Sequence, residues 1–219
     1  MTAGDAPPDA HRTILLVDDH ELVRAGVRSL YGELHGVPLH WIEASSLQEA
    51  LALYAATPHV DLVLLDLNLA DCRGLQGLRQ FREANPDARI AVFSATQDEF
   101  VVRQARALGA VGYVGKSSSA PMHDMLAGLL WPGGRPGVRG GAVPPQALFP
   151  RMPASAMYDR VAELGPRHLE ILELVLSGCT NQEISRSTQL SLGTVKNYVS
   201  SLLLALDVRS RSHLISVFR

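Results

Sequence analysis

Five short apolar runs mark the front of the chain: Thr13–Val17, Leu39–Ala44, Asp61–Asp66, Arg89–Ala95 and Val111–Gly115. Alternating with them are stretches with helical spacing: Glu21–Leu34, Leu47–Ala56, Leu75–Ala84, Phe100–Leu108 and Met122–Leu130. A run as apolar as LVLL inside Asp61–Asp66 predicts a strand buried on both faces, the situation of a parallel sheet covered by helices. Strict alternation of strand and helix predicts an α/β doubly wound, five-stranded parallel sheet. Ligands of such sheets sit where the strands end, so the polar residues at those ends carry the first functional information.

The pattern breaks at residues 131–153 (WPGGRPGVRGGAVPPQALFPRMP), where Gly and Pro dominate and no apolar period survives. This predicts a linker. The expected organisation is a disordered N-terminus over 1–11, a first domain over 12–130, a linker over 131–154 and a second domain over 155–219. The second domain reads as all-helical. Leu164–Gly178 opens with Pro166 in its first turn and closes on Gly178. Thr180 and Glu183 have capping-box spacing for a helix reaching Thr188. Ser191 can cap Thr194–Leu206, and Ser210 a last helix to about Phe218. Short helices with tight turns predict a helix-turn-helix module.

Composition narrows the class. The 219 residues (23.7 kDa) are 47% hydrophobic, enough for real cores, and no apolar run is long enough to span a bilayer. The first residues lack the basic start and apolar stretch of a secretory signal. Cys72 and Cys179 are the two cysteines and have no metal-ligand spacing, which argues against a disulfide framework or structural zinc. A cytoplasmic, soluble chain is expected. Residues 1–130 hold ten Lys/Arg against sixteen Asp/Glu, whereas 155–219 hold seven against six. An acidic front followed by a mildly basic back suits a metal or phosphate site followed by a segment that meets an anion.

The predicted strands end on Asp18-Asp19, Asp66, Ser94 and, for the last, near Lys116. Gathered carboxylates repel unless a cation joins them, and a hard ion such as Mg²⁺ suits oxygen ligands. A hydroxyl and a lysine beside them suit phosphoryl oxygens, so the implied chemistry is phosphoryl transfer to a carboxylate. Asp18-Asp19, Asp66 within LLDLNL, Ser94-Ala95 and Gly112-Tyr113 followed by Lys116 resemble, in order and over about residues 12–130, the receiver domain of two-component response regulators. The resemblance implies Asp66 as phosphoacceptor. It also implies a Mg²⁺ site of Asp18, Asp19, Asp66 and the backbone carbonyl of Asn68. Lys116 and Ser94 would bind the phosphoryl oxygens, and Tyr113 would be the aromatic that turns inward on activation. One position departs from the family: Ala70 stands where a Pro often follows the acceptor by four residues, which leaves the loop looser and the phosphate lifetime open.

Residues Leu164–Leu214 resemble the LuxR-type DNA-binding module, carried by Pro166-Arg167, Gly178, Asn181, Glu183-Ile184, Gly193–Asn197 and Val208–Arg211. Receiver plus this module is the architecture of NarL/FixJ-type response regulators. At 100° per residue, Val195, Val199, Leu202 and Leu206 share an inward face, while Lys196, Asn197 and Ser200 point outward with Thr194 at the helix start. Such a face can enter a major groove. Arg209 and Arg211 are further candidate DNA contacts. Leu204 and Ala205 replace the basic residues the family often has, which predicts weaker phosphate contact and a larger role for self-association.

Blander readings exist for each residue alone. Asp18 and Asp19 could cap the helix starting near His20, Ser94 could be a turn residue, Tyr113 could be core, and the Lys196 face could be merely solvated. Their joint order favours the functional reading. Implied partners are a histidine kinase, double-stranded promoter DNA and a second copy of the chain when active. The non-enzymatic alternative is a constitutive DNA-binding or anti-activator protein with an idle receiver. An aspartyl-phosphate hydrolase would want a second acid two residues after its nucleophile on the first strand. Asp18-Asp19-His20 does not supply it.

Overall fold

The computed structural model describes residues 11–95, 98–116, 119–134, 148–150, 160–161 and 164–218. All of the expected disordered N-terminus except His11, and most of the expected linker, lie outside these residues. The chain divides into two compact units, residues 1–96 with 105–150, and residues 97–104 with 151–219.

The first unit carries strands β1 (Arg12–Val17), β2 (Glu33–Leu34), β3 (Val37–Ala44), β4 (Leu62–Leu65), β5 (Ile90–Ser94) and β6 (Gly112–Gly115). Helices α1 (Glu21–Leu30), α2 (Leu47–Ala56), α3 (Gln76–Ala84) and α5 (Ser119–Leu130) accompany them, while α4 (Glu99–Ala107), between β5 and β6 in the chain, begins in residues of the second unit and ends in residues of the first. The sheet order is β2-β3-β1-β4-β5-β6, parallel throughout except for the β2–β3 pair. Ile14–Val17 and Leu62–Leu65 expose no surface at all, as expected of strands covered on both sides.

The five-stranded expectation is corrected to six. Helical spacing continues through Leu34, but α1 stops at Leu30, and Glu33–Leu34 instead pair antiparallel with Val37–Pro38. His35 and Gly36 both take positive φ (52° and 73°), the geometry of a two-residue hairpin turn whose twist matches the strands. Once that turn forms, the last residues of the apparent helix belong to a sheet edge.

Part of the expected linker is packed. Trp131, Leu148 and Phe149 are buried, Arg106 lies over the Phe149 ring, and a Cβ on Gly112 would come within 3.0 Å of the Leu148 carbonyl oxygen. Gly112 is thus required by close approach of this segment to β6.

The second unit holds α6 (Pro166–Leu176), α7 (Asn181–Thr188), α8 (Leu192–Ala205) and α9 (Arg211–Phe218). Thr180 and Glu183 form the reciprocal capping box, while the Ser191 and Ser210 hydroxyls accept from the Thr194 and His213 N–H groups. Gly178 has a φ of 81°, the left-handed conformation that ends α6. Val195, Val199, Leu202 and Leu206 are all buried, giving α8 the inward face its spacing predicts.

Candidate functional site

Sheet register assembles the acidic edge. Val17 lies level with Ala44 on β3 and with Leu65 on β4, and Ser94 lies level with Gly115. The ladder runs one step further: the Asp66 N–H donates to the Val17 carbonyl and the Lys116 N–H to the Ser94 carbonyl, both at 2.9 Å. Asp18 and Asp66 therefore leave β1 and β4 level with each other, and Ser94 and Lys116 lie one and two residues further along β5 and β6 at the same edge of the sheet.

Lys116 Nζ sits 2.7 Å from Asp18 Oδ2 and 2.7 Å from Asp66 Oδ2. Asp18, Asp66 and Ser94 are buried. Burial pushes the Asp66 carboxyl above its ordinary range; Lys116 pulls it back, the Asp18 charge raises it again, and the Asn68 N–H, donating to Oδ1 at 3.2 Å, lowers it. The net effect is a carboxylate less stabilised than one in water. Tyr113 is fully buried in β6.

Asp18, Asp19, His20 and Asp66 place ligand atoms within 4.8 Å of one another. Asp18 Oδ2 and Asp19 Oδ1 are shielded from solvent and accept no well-aligned hydrogen bond, although Lys116 Nζ and His20 Nδ1 each approach one of them at 2.7 Å. Oxygen donors left in that condition fit a divalent cation such as Mg²⁺. His20, read from sequence only as the start of a helix, thus reaches the cluster with its ring while staying mostly exposed. Arg24, which the sequence did not single out, donates to the Asp18 carbonyl at 2.6 Å and pairs with Glu43. The signal for it is helical spacing alone, four residues beyond His20 on α1.

In the second unit, Lys196, Asn197, Ser200 and Arg209 are exposed. Thr194 is half-buried, its hydroxyl 2.8 Å from that of Ser191. Leu204 is 83% exposed on the same helix. Arg211 is placed differently from its expected role. Its guanidinium turns inward to the Val175 and Cys179 carbonyls and the Asn181 side chain, and burial lowers its pKa. Val175 stands in the last turn of α6 and Cys179 just beyond it, the end of a helix at which carbonyl oxygens attract cations.

Residues 14–126 match the response regulator receiver domain, and residues 162–218 match the bacterial regulatory proteins, luxR family. The chain is 34% identical over 205 residues to the nitrate/nitrite response regulator protein NarL of Escherichia coli K12, covering 91% of each. It is 29% identical over 204 residues to the response regulator protein VraR of Staphylococcus aureus Mu3, covering 91% of this chain and 92% of VraR. RcsB of Salmonella enterica serovar Typhimurium, bound to promoter rprA in the presence of phosphomimetic BeF3-, superposes with a TM-score of 0.68. That match covers 95% of this chain and 98% of RcsB at 17% identity, a likeness of fold.

Proposed function

Given that the chain belongs to the two-component response regulators that join a receiver to a LuxR-type DNA-binding domain, we propose that Asp66 is its phosphoacceptor and α8 its DNA-reading helix. The family function is phosphorylation-controlled regulation of transcription. The observation carrying the site assignment is Lys116 Nζ at 2.7 Å from both Asp18 and Asp66 at one sheet edge.

A histidine kinase is the proposed donor. An Asp66 carboxylate oxygen attacks phosphorus, the P–N bond to the kinase imidazole breaks, and the released nitrogen keeps the electron pair. Asp18, Asp19, Asp66 and the Asn68 carbonyl would hold Mg²⁺, which when bound neutralises charge on the transferring group. Lys116 leaves the carboxylate oxygen for the phosphoryl oxygens, and the Ser94 hydroxyl donates to them. Tyr113, already inward, packs beside the rearranged segment. The same pocket admits the water that ends the signal by self-dephosphorylation. The proposed domains are 12–130 and 155–219, with a cytoplasmic location and a homodimer when active.

Incubation with a small phosphodonor and Mg²⁺ should give a shifted band for wild type on a phosphate-affinity gel, and none for Asp66→Asn. A shift that persists in the variant places the acceptor elsewhere. Genome-wide footprints that are identical for wild type and Asp66→Ala would favour the constitutive reading. On a verified promoter, Asn197→Ala should cost about 1–3 kcal/mol of discrimination against random DNA if it makes a bidentate base contact. Arg209→Ala should weaken both DNAs alike and flatten the salt dependence.

A further inference from the structure

The loop between β4 and α3 carries Asp66 and Asn68, and it has Ala70 where the receiver pattern often has Pro. A freely moving loop would scatter both groups. Instead, the Leu69 and Cys72 backbones bond to each other in both directions, at 3.0 and 3.3 Å, closing a tight turn with Ala70 and Asp71 at its centre. Gly74 donates back to Leu67, and Asn68 bridges Arg73. Leu67, Leu69 and Cys72 are buried beneath the turn, while Ala70 and Asp71 are exposed.

The Asp71 carboxylate reaches out of this turn to another element. Oδ1 accepts from the Leu47 N–H at 3.0 Å and Oδ2 from the Gln48 N–H at 3.1 Å, the first two amides of α2. Those amides have no partner within their own helix, and an anion is favoured at that end. The nearby cap Ser46 takes the Glu49 N–H instead, so the two caps do not compete. One cap is internal to α2; the other is delivered by the loop that bears the acceptor.

We propose that Asp71 is a positioning residue for phosphoryl transfer, tethering the acceptor loop to α2 so that Asp66 and the Asn68 carbonyl stay in register with Asp18 and Asp19. A Pro at position 70 would restrict the turn by fixing φ at its first central residue. Asp71 restricts it by anchoring its second. The tether acts through the loop and touches no reacting atom. The inference rests on the assignment of Asp66 as phosphoacceptor.

The full-length chain allows a test with two readouts, the Mg²⁺ dissociation constant by calorimetry and phosphorylation by phosphoramidate, resolved into kcat and KM. Asp71→Ala should weaken Mg²⁺ binding and lower kcat by about tenfold each, the usual size for a lost supporting contact around a metal site. Asp71→Asn, which keeps one acceptor oxygen, should fall between. Ser46→Ala removes the other cap of α2 and should lower its thermal stability comparably while leaving both readouts at wild type. Ala70→Pro combined with Asp71→Ala should restore both. If Asp71→Ala matches wild type, or if Ser46→Ala reproduces its defect, the residue merely stabilises a helix and the proposal is wrong. A wild-type chain that takes up neither Mg²⁺ nor phosphoryl group would overturn the acceptor assignment together with this inference. Uptake by wild type beside an unaffected Asp71→Ala overturns this inference alone.

Discussion

Asp61 and Asp66 flank the same four buried residues of β4, yet Asp61 is held below the ordinary carboxylate range and Asp66 above it. Burial raises both. At Asp61 the rise is outweighed by the Thr13 N–H and the Arg12 guanidinium, each 2.8 Å away, with the Arg12 and His59 charges adding to the effect. At Asp66 the single lysine is shared with Asp18, and the second carboxylate works against it. The upstream end of the strand has satisfied its charge and braces β1 against β4. The downstream end keeps a carboxylate short of partners, which is the condition a nucleophile and a cation ligand require.

The sharpest separation is chemical. On the phosphate-affinity gel, Asp61→Asn should shift like wild type, whereas Asp66→Asn should not shift at all; equal loss in both would mean that Asp61 matters to the reaction through the strand. Next is stability. Asp61→Ala should cost about 1–3 kcal/mol in urea unfolding, because it strands buried donors on Thr13 and Arg12. A smaller difference lies in acid. With a lowered folded pKa, Asp61 contributes stability that is complete above its unfolded value of about 4 and is lost as pH falls through the folded value. Asp61→Asn should therefore flatten the acid limb of stability against pH. Asp66 has the opposite sign: its penalty is absent in acid and grows as pH rises past about 4, so Asp66→Asn should be the more stable protein at neutral pH and equal to wild type in strong acid. Smallest of all, His59→Gln should change stability by under about 0.5 kcal/mol, since that partner of Asp61 is mostly exposed.

Much of this was legible because strand ends announce themselves. Asp18, Asp66, Ser94 and Lys116 each follow a short apolar run, and parallel pairing lines those ends up without further information. The rest depended on partners distant in sequence. Asp61 belongs to the run read as a strand, but nothing near it predicts Arg12 and the Thr13 amide. Asp71 sits in a loop, and its partners are amides that any helix start would offer. Arg211 reads as a phosphate contact because it is basic and follows Arg209, whereas the pull of the Val175 and Cys179 carbonyls around the end of α6 appears only when those two segments are packed. The β2 hairpin was hidden for a local reason: two residues at positive φ overrode a helical spacing that otherwise continued.

The strand order also has a consequence in time. β1 is synthesised first yet lies between β3 and β4, and β5 and β6 follow later still. As the chain leaves the ribosome, Asp18 emerges with one flank of its strand unpaired until Leu62–Leu65 arrives, and Asp66 waits for Lys116 to supply its cation. A chain interrupted before β6 would hold two buried carboxylates facing each other and an open, apolar sheet edge at β5, a form prone to pair with other nascent chains. Translation must run nearly the whole length of the first unit before any part of the acidic edge is stable, so shorter products are matter for proteases rather than weaker versions of the same switch.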